Sequence, residues 1–470
     1  MQIFKALPFA ADRRVTYWLA AVFFIVTMLI GGGSRTDILS LIILRPLAII
    51  FLMLAVAGTD PADLRRNPVL VFSLVGLLLW GLIQLIPLPP GLWHALPGRE
   101  VIKNADAALG LEELWRPISM MPNQTLNAVF ALTVPIAMLF FLLRLQTKDL
   151  ARFLVVVIAM GLLSAVLGVF QSVGEAGGMF HFYRITNPEF PVGLFANRNH
   201  QAFLLCCMFP LLAAYAALPH DGREGDRYRL VLPIVLGLAM MPLILVTGSR
   251  LALLLAALGL ASAAWIYLPA VDSGRLRSRI TPRTTMLAVG GVLAVIVVLV
   301  AIVYTRETVF VRMSEEAEDP LADLRFSVWP VITEIVWKMQ PTGSGLGTFA
   351  DVYKIFEPDE LLQPEYLNHA HNDFLELPLT AGFVGVAVLV AGVVAFVGAL
   401  YTSVFSHASR KQAVLNRMGA AIVAILAMAS FFDYPLRVPS MACIFVFAAV
   451  CLCARTERAS APSQSVNNPN

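Results

Sequence analysis

The sequence predicts an all-α polytopic membrane protein, and three observations carry that prediction. Of 470 residues, 58% are hydrophobic and 14% charged, against roughly 25% charged in ordinary soluble domains. Mean hydropathy is +0.76. The apolar residues gather into twelve runs of about 17 to 25 residues, the length at which a helix crosses a bilayer.

In chain order the runs fall at about 15–33, 38–58, 68–88, 126–144, 152–173, 201–218, 230–247, 251–269, 286–304, 374–401, 414–432 and 438–454. Basic residues set their direction, because they collect in cytoplasmic loops. Lys5, Arg13 and Arg14 precede the first run, and Arg65 with Arg66 follow the second. Arg144, Lys148 and Arg152 follow the fourth, and Arg223, Arg227 and Arg229 the sixth. Arg275, Arg277, Arg279 and Arg283 follow the eighth, Arg410, Lys411 and Arg417 the tenth, and Arg455 with Arg458 the twelfth. Every even-numbered run therefore leads into a basic loop, which predicts cytoplasmic N- and C-termini. A multi-pass protein of a bacterial inner membrane fits this pattern. The first run lacks a small-x-small cleavage site and reads as a retained helix.

The net charge of +3 is an orientation signal, since no patch interleaves basic and aromatic residues as a nucleic-acid interface does. The five cysteines all fall inside predicted spans and form no CxxC pair. Neither a zinc site nor a structural disulfide is expected of them.

Four regions result: predicted transmembrane helices 1–9 over residues 1–304, a large outer loop at 305–373, helices 10–12 over 374–457, and a Ser/Pro/Asn-rich tail at 458–470 expected to be disordered. Two further outer segments are long. Residues 89–125 contain an amphipathic stretch from Val101 to Leu114, and residues 174–200 end in Asn197-Arg198-Asn199-His200. In the large loop, Leu324, Val328, Val331, Ile332, Ile335 and Val336 recur at helical spacing and Pro341 ends the pattern.

Five constellations could carry chemistry. His369-Ala-His371-Asn372 stands where the large loop meets the tenth run, and an imidazole at a membrane boundary is a natural general base for an alcohol. The bland reading, a cap or interface histidine, suits His369 better than His371. Arg250 closes the tight turn Thr247-Gly248-Ser249, on the outer side against the positive-inside trend. It reads either as a snorkelling anchor or as a fixed guanidinium for phosphate. Arg325 reads first as a surface ion pair. Gly343 to Gly347 lacks the ending of a P-loop, so Gly345 and Gly347 belong to a simple turn or to an anion nest. Asn197-Arg198-Asn199-His200 reads as a helix cap with an interface anchor, or as a contact for a polar ligand. Arg45 within the second run is expected to snorkel, and Asp433 with Arg437 to pair across the last outer turn.

With these residues in place, the chain resembles the O-antigen ligase and O-antigen polymerase superfamily of bacterial inner-membrane glycosyltransferases. The resemblance rests on twelve spans, a large outer loop before the tenth, and His371-Asn372 followed after nine residues by Gly382-Phe-Val-Gly385. The Gly248-Ser249-Arg250 turn and the Gly343–Phe349 stretch add to it. It implies a GT-C-like arrangement and an inverting, metal-independent transfer of a glycan from undecaprenyl pyrophosphate, without a cofactor. The acceptor would be a lipid A–core sugar in a ligase or another lipid-linked glycan in a polymerase. By position, His371 would be the essential histidine, and Arg250 and Arg325 the pyrophosphate-binding arginines. Asn197, Arg198, Asn199, His200, His369, Asn372, Gly345 and Gly347 are possible substrate contacts. A secondary transporter would also show about twelve spans, but its polar groups usually interrupt paired spans at mid-depth. Here they concentrate at the outer mouth.

Overall fold

Backbone amides withdrawn from water must bond within their own segment, so apolar runs resolve into helices. The computed structural model describes residues 12–219, 225–270, 320–362, 366–405 and 409–454, with only the backbone at 225–228, 230, 270 and 320–325. Eleven of the twelve predicted runs are helical there; the ninth, 286–304, lies outside the described residues.

The first five are α1 (Arg13–Ile30), α2 (Leu41–Ala57), α3 (Pro68–Ile83), then, after the amphipathic α4 (Glu100–Leu109), α5 (Pro122–Leu143) and α6 (Thr147–Val173). Next come α7 (Arg198–Ala217), α8 (Gly225–Val246) and α9 (Arg250–Tyr267). The large loop contributes α10 (Pro320–Lys338) and α11 (Phe349–Phe356). The last four are α12 (Asp373–Ala381), α13 (Phe383–Phe405), α14 (Arg410–Phe432) and α15 (Pro439–Leu452). Among the described residues, seven helices are long and apolar enough to cross a membrane, and four shorter ones are apolar as well.

Two boundaries differ from the sequence reading. The third run stops at Ile83, and Pro87–Leu88 pairs antiparallel with Arg116–Pro117. Proline ends the helix and leaves these residues extended. The tenth run is two helices, because Gly382 takes φ +63 and breaks it. A Cβ there would meet the Pro341 carbonyl oxygen at 2.0 Å and the Gly343 nitrogen at 2.6 Å. The spanning helix therefore starts at Phe383.

The core centres on α7, where Phe203, Cys206, Cys207 and Met208 are inaccessible. The large loop builds a second, smaller core from Val328, Ile332 and Ile335 of α10, Phe349, Val352 and Tyr353 of α11, and Leu379 of α12. Buried Arg99 ties that core down: its guanidinium donates to the carbonyls of Ile118 (2.7 Å) and Gly343 (3.0 Å). Burial pushes this guanidinium down to about 10, with Glu100 opposing, which still leaves it charged at neutral pH.

The segments predicted to lie outside meet at one end of the bundle. Ser440 and Ala196 donate to the carbonyls of Gly31 and Gly32, and Gln84 donates to the Thr380 carbonyl. At the other end Arg66 donates to the Leu143 carbonyl, and Gln412 to that of Ala454.

Candidate active site

The nine residues between Asn372 and Gly382 are the length of α12. Asn372 caps it, its Oδ1 accepting from the amides of Phe374 (3.0 Å) and Leu375 (3.3 Å). Gly382 closes it in the left-handed region, and a Cβ at Gly385 would meet the Leu377 carbonyl oxygen at 2.5 Å. The glycines thus admit the chain's own backbone. Immediately before the cap, His371 takes φ +48. That conformation costs a non-glycine residue on the order of 1–3 kcal/mol, strain that collects at functional sites.

His371 Nδ1 stands 3.6 Å from Oδ1 of Asp433, a carboxylate only 1% exposed at the end of α14. Asn199, in the first turn of α7, donates to Asp433 Oδ2 at 2.8 Å, and the Tyr434 amide donates to Oδ1 at 2.9 Å. Buried His200 brings Nε2 to 3.9 Å of the same carboxylate. Four of the predicted contacts therefore divide by role. Asn197 caps α7 by accepting from the Asn199 amide, Asn199 and His200 form a layer beneath His371, and Arg198 lies over the Phe190 ring at 4.0 Å.

A second network surrounds His369. Its Nδ1 is 3.2 Å from Glu376 Oε1, and Glu376 Oε2 accepts from the Ala370 amide at 2.9 Å. Arg437 reaches Glu376 at 3.2 Å and Asp373 at 3.0 Å. So Arg437 pairs with two carboxylates of α12, and Asp433 faces α7 and His371, in place of the cross-turn pair expected from sequence. Burial pushes Glu376 up, but Arg437 and His369 outweigh it and hold the carboxyl down at about 2. Asp373 goes the other way: burial with the Glu376 charge lifts it to about 6 despite Arg437. The Tyr434 ring joins the two networks, its centroid 4.1 Å from His369, 5.0 Å from His371 and 5.3 Å from His200.

Arg250 is exposed at the first position of α9, which packs along α7 at this same end. Gly248 (φ +65) makes the turn before it, so close to Arg198 that a Cβ would meet Nη1 at 3.2 Å. The Arg325 backbone is on α10, one turn before Trp329, whose indole N–H donates to the Ala370 carbonyl at 3.2 Å. The Arg325 side chain lies outside the described residues. The glycine turn is largely engaged: Gly345 donates to Thr380, Ser344 to Leu379 and Leu346 to Gln84 Oε1. Its geometry is that of a turn clamping the end of α12.

An apolar groove of about 490 Å³ opens beside these networks. His369, Asp373, Arg437, Gly347, Arg45 and Asn127 supply polar groups to its wall, and it continues between α2, α3, α5, α13 and α15 to Asn67 and Cys453. Arg45, expected to snorkel, instead donates to Asn127 Oδ1 at 2.8 Å inside this groove. His371 and Arg250 are not among the groove's described lining residues.

Sequence reasoning gave Glu376 no role, although a carboxylate inside a predicted apolar span is itself a functional signal. Asp433 reads from the sequence only as a partner for Arg437, and the fold sets it against His371 instead. Residues 235–390 match the family described as O-antigen ligase. That stretch holds Arg250, the glycine turn and His369 to Gly385, and leaves out Asn199, Asp433 and Arg437. No curated protein matches the chain.

Proposed function

From membership of the O-antigen ligase and polymerase superfamily, which the match over residues 235–390 supports, we propose that this glycosyltransferase moves a glycan from undecaprenyl pyrophosphate to an acceptor hydroxyl. The acceptor is a lipid A–core sugar, and the site faces the periplasm of the inner membrane. The observation that carries the reading is His371, strained at φ +48 and set 3.6 Å from the buried Asp433 carboxylate.

A buried carboxylate beside Nδ1 favours the tautomer with hydrogen on Nδ1, which presents the Nε2 lone pair to the acceptor. His371 then takes the hydroxyl proton as the acceptor oxygen bonds to the anomeric carbon. The carbon–oxygen bond to pyrophosphate breaks in the same displacement, its electron pair leaving with the phosphate. One displacement inverts the anomeric centre. Pyrophosphate is a good leaving group, so the protein mainly aligns the hydroxyl and neutralises the departing charge. Arg250 and Arg325 supply that charge, and the groove beside His369 takes the apolar chain of the donor.

His371→Ala and Arg250→Ala are expected to abolish glycan transfer by the purified, normally inserted protein, and transfer at the wild-type rate by either variant refutes that residue's role. Transfer that survives chelators marks the reaction as metal-independent; loss restored by a divalent ion refutes this. Full-length glycan accumulating on the lipid carrier of a deletion strain identifies a ligase, and single repeats identify a polymerase. Unchanged glycans with altered solute uptake would indicate a transporter.

A further inference from the structure

At the end of the bundle opposite the histidines, a second cavity of about 450 Å³ lies between α5, α6, α14 and the end of α15. That volume falls in the range of small-molecule sites, about 300–1,000 Å³. Arg66, Lys148 and Lys411 stand in its wall with the hydroxyl residues Thr147 and Ser409. Thr147 and Lys148 open α6, and Ser409 caps α14 just before Arg410 and Lys411. A lysine in a first helical turn opposes the helix dipole. Two long helices accept that arrangement here, aiming both their positive ends and their lysines at one cavity. The preference for basic cytoplasmic loops explains the charges; it does not explain a cavity between them.

The cavity also borders an apolar space. Asn67 and Cys453 line both it and the far end of the 490 Å³ groove, so a cationic pocket and an apolar groove share a wall. Asp63 lies 3.4 Å from Arg66 and offsets part of that charge. Asp149 is directed to Arg152 at 3.5 Å. Arg66 itself is fixed by donating to the carbonyls of Leu143 and Leu145.

We propose that this cavity binds the phosphate headgroup of an anionic phospholipid from the leaflet opposite the histidine networks, with an acyl chain entering the lower groove. Charge complementarity selects an anion, and the shared Asn67–Cys453 wall selects an amphiphile over a soluble ion. Basic pockets between helices at a cytoplasmic face are suited to such headgroups.

The test uses the full-length protein in mild detergent, stripped of lipid and offered phosphatidylglycerol, phosphatidylcholine with the same acyl chains, or inorganic phosphate. Native mass spectrometry reads the retained lipid, and thermal unfolding reads protection. Phosphatidylglycerol is expected to be retained at least about tenfold over phosphatidylcholine. Each lysine removed, in Lys148→Ala and Lys411→Ala, is expected to lower retention by about fivefold, with unfolding of the lipid-free protein unchanged. If either alanine variant folds poorly, Lys148→Gln at its exposed position gives the same reading. Equal retention of the two lipids, or retention unchanged in the lysine variants, refutes the site. Protection by phosphate alone as strong as that by phosphatidylglycerol refutes the lipid and assigns a soluble anion.

Discussion

At the scale of single residues, two carboxylates sort two histidines. Asp433 stands against His371 and Glu376 against His369, so neighbours two positions apart have different surroundings. If His371 is the general base, His371→Ala should lower kcat by about 10²- to 10⁴-fold. Asp433→Asn should lower kcat with KM unchanged, because that side chain orients the base without touching substrate; a change confined to KM contradicts this. Asn372→Ala removes a cap of about 1 kcal/mol and should lower the unfolding temperature as well as activity. Acidity separates the α12 carboxylates. Asp373 is raised to about 6, so the native state takes up a proton before the unfolded chain does. Stability of the wild type relative to Asp373→Asn should therefore rise as pH falls from about 7 to 4, read as the difference in their unfolding temperatures. Glu376, held at about 2, keeps its pair with Arg437 throughout that window.

At the scale of elements, α12 converts a sequence spacing into geometry. Its nine residues run from a side-chain cap to a left-handed glycine, and the turn at 341–347 closes against its end. Gly382→Ala brings the Pro341 oxygen into contact and strains φ, at a cost of about 1–3 kcal/mol. The expected result is less folded protein and weaker activity, because the helix that positions Asn372 and Glu376 shifts with it. Arg99→Met should destabilise the small loop core by about 3 kcal/mol, since two buried carbonyls lose a charged donor; an unchanged unfolding temperature would show that water replaces it. The amphipathic pattern of α10 was readable in the sequence, as were both its buried face and its end before Pro341. The break at Gly382 was not, because an apolar run continues across it and hydropathy does not register backbone handedness.

At the scale of the molecule, the described segments predicted to lie outside meet at one end of the bundle, and the basic segments around Arg66, Lys148 and Lys411 lie at the other. Cys206, Cys207, Cys443 and Cys451 are buried and Cys453 is half-buried at the basic end. In intact cells, a membrane-impermeant thiol reagent should leave the protein unlabelled. After the inner membrane is opened, it should label Cys453 first; labelling of Cys453 from the periplasm would invert the orientation. Local apolar length and charge suffice for the fold class, for where most apolar runs become helices and for the expected sidedness. The sequence also picks out His371 and Arg250 through short spacings. Long-range packing sets which carboxylate each histidine faces, pairs Arg437 with Asp373 and Glu376, and gives the two cavities a shared wall at Asn67 and Cys453. Asp433 lies 62 positions from His371 and 234 from Asn199. No local pattern joins residues so far apart; packing of α7, α12 and α14 does.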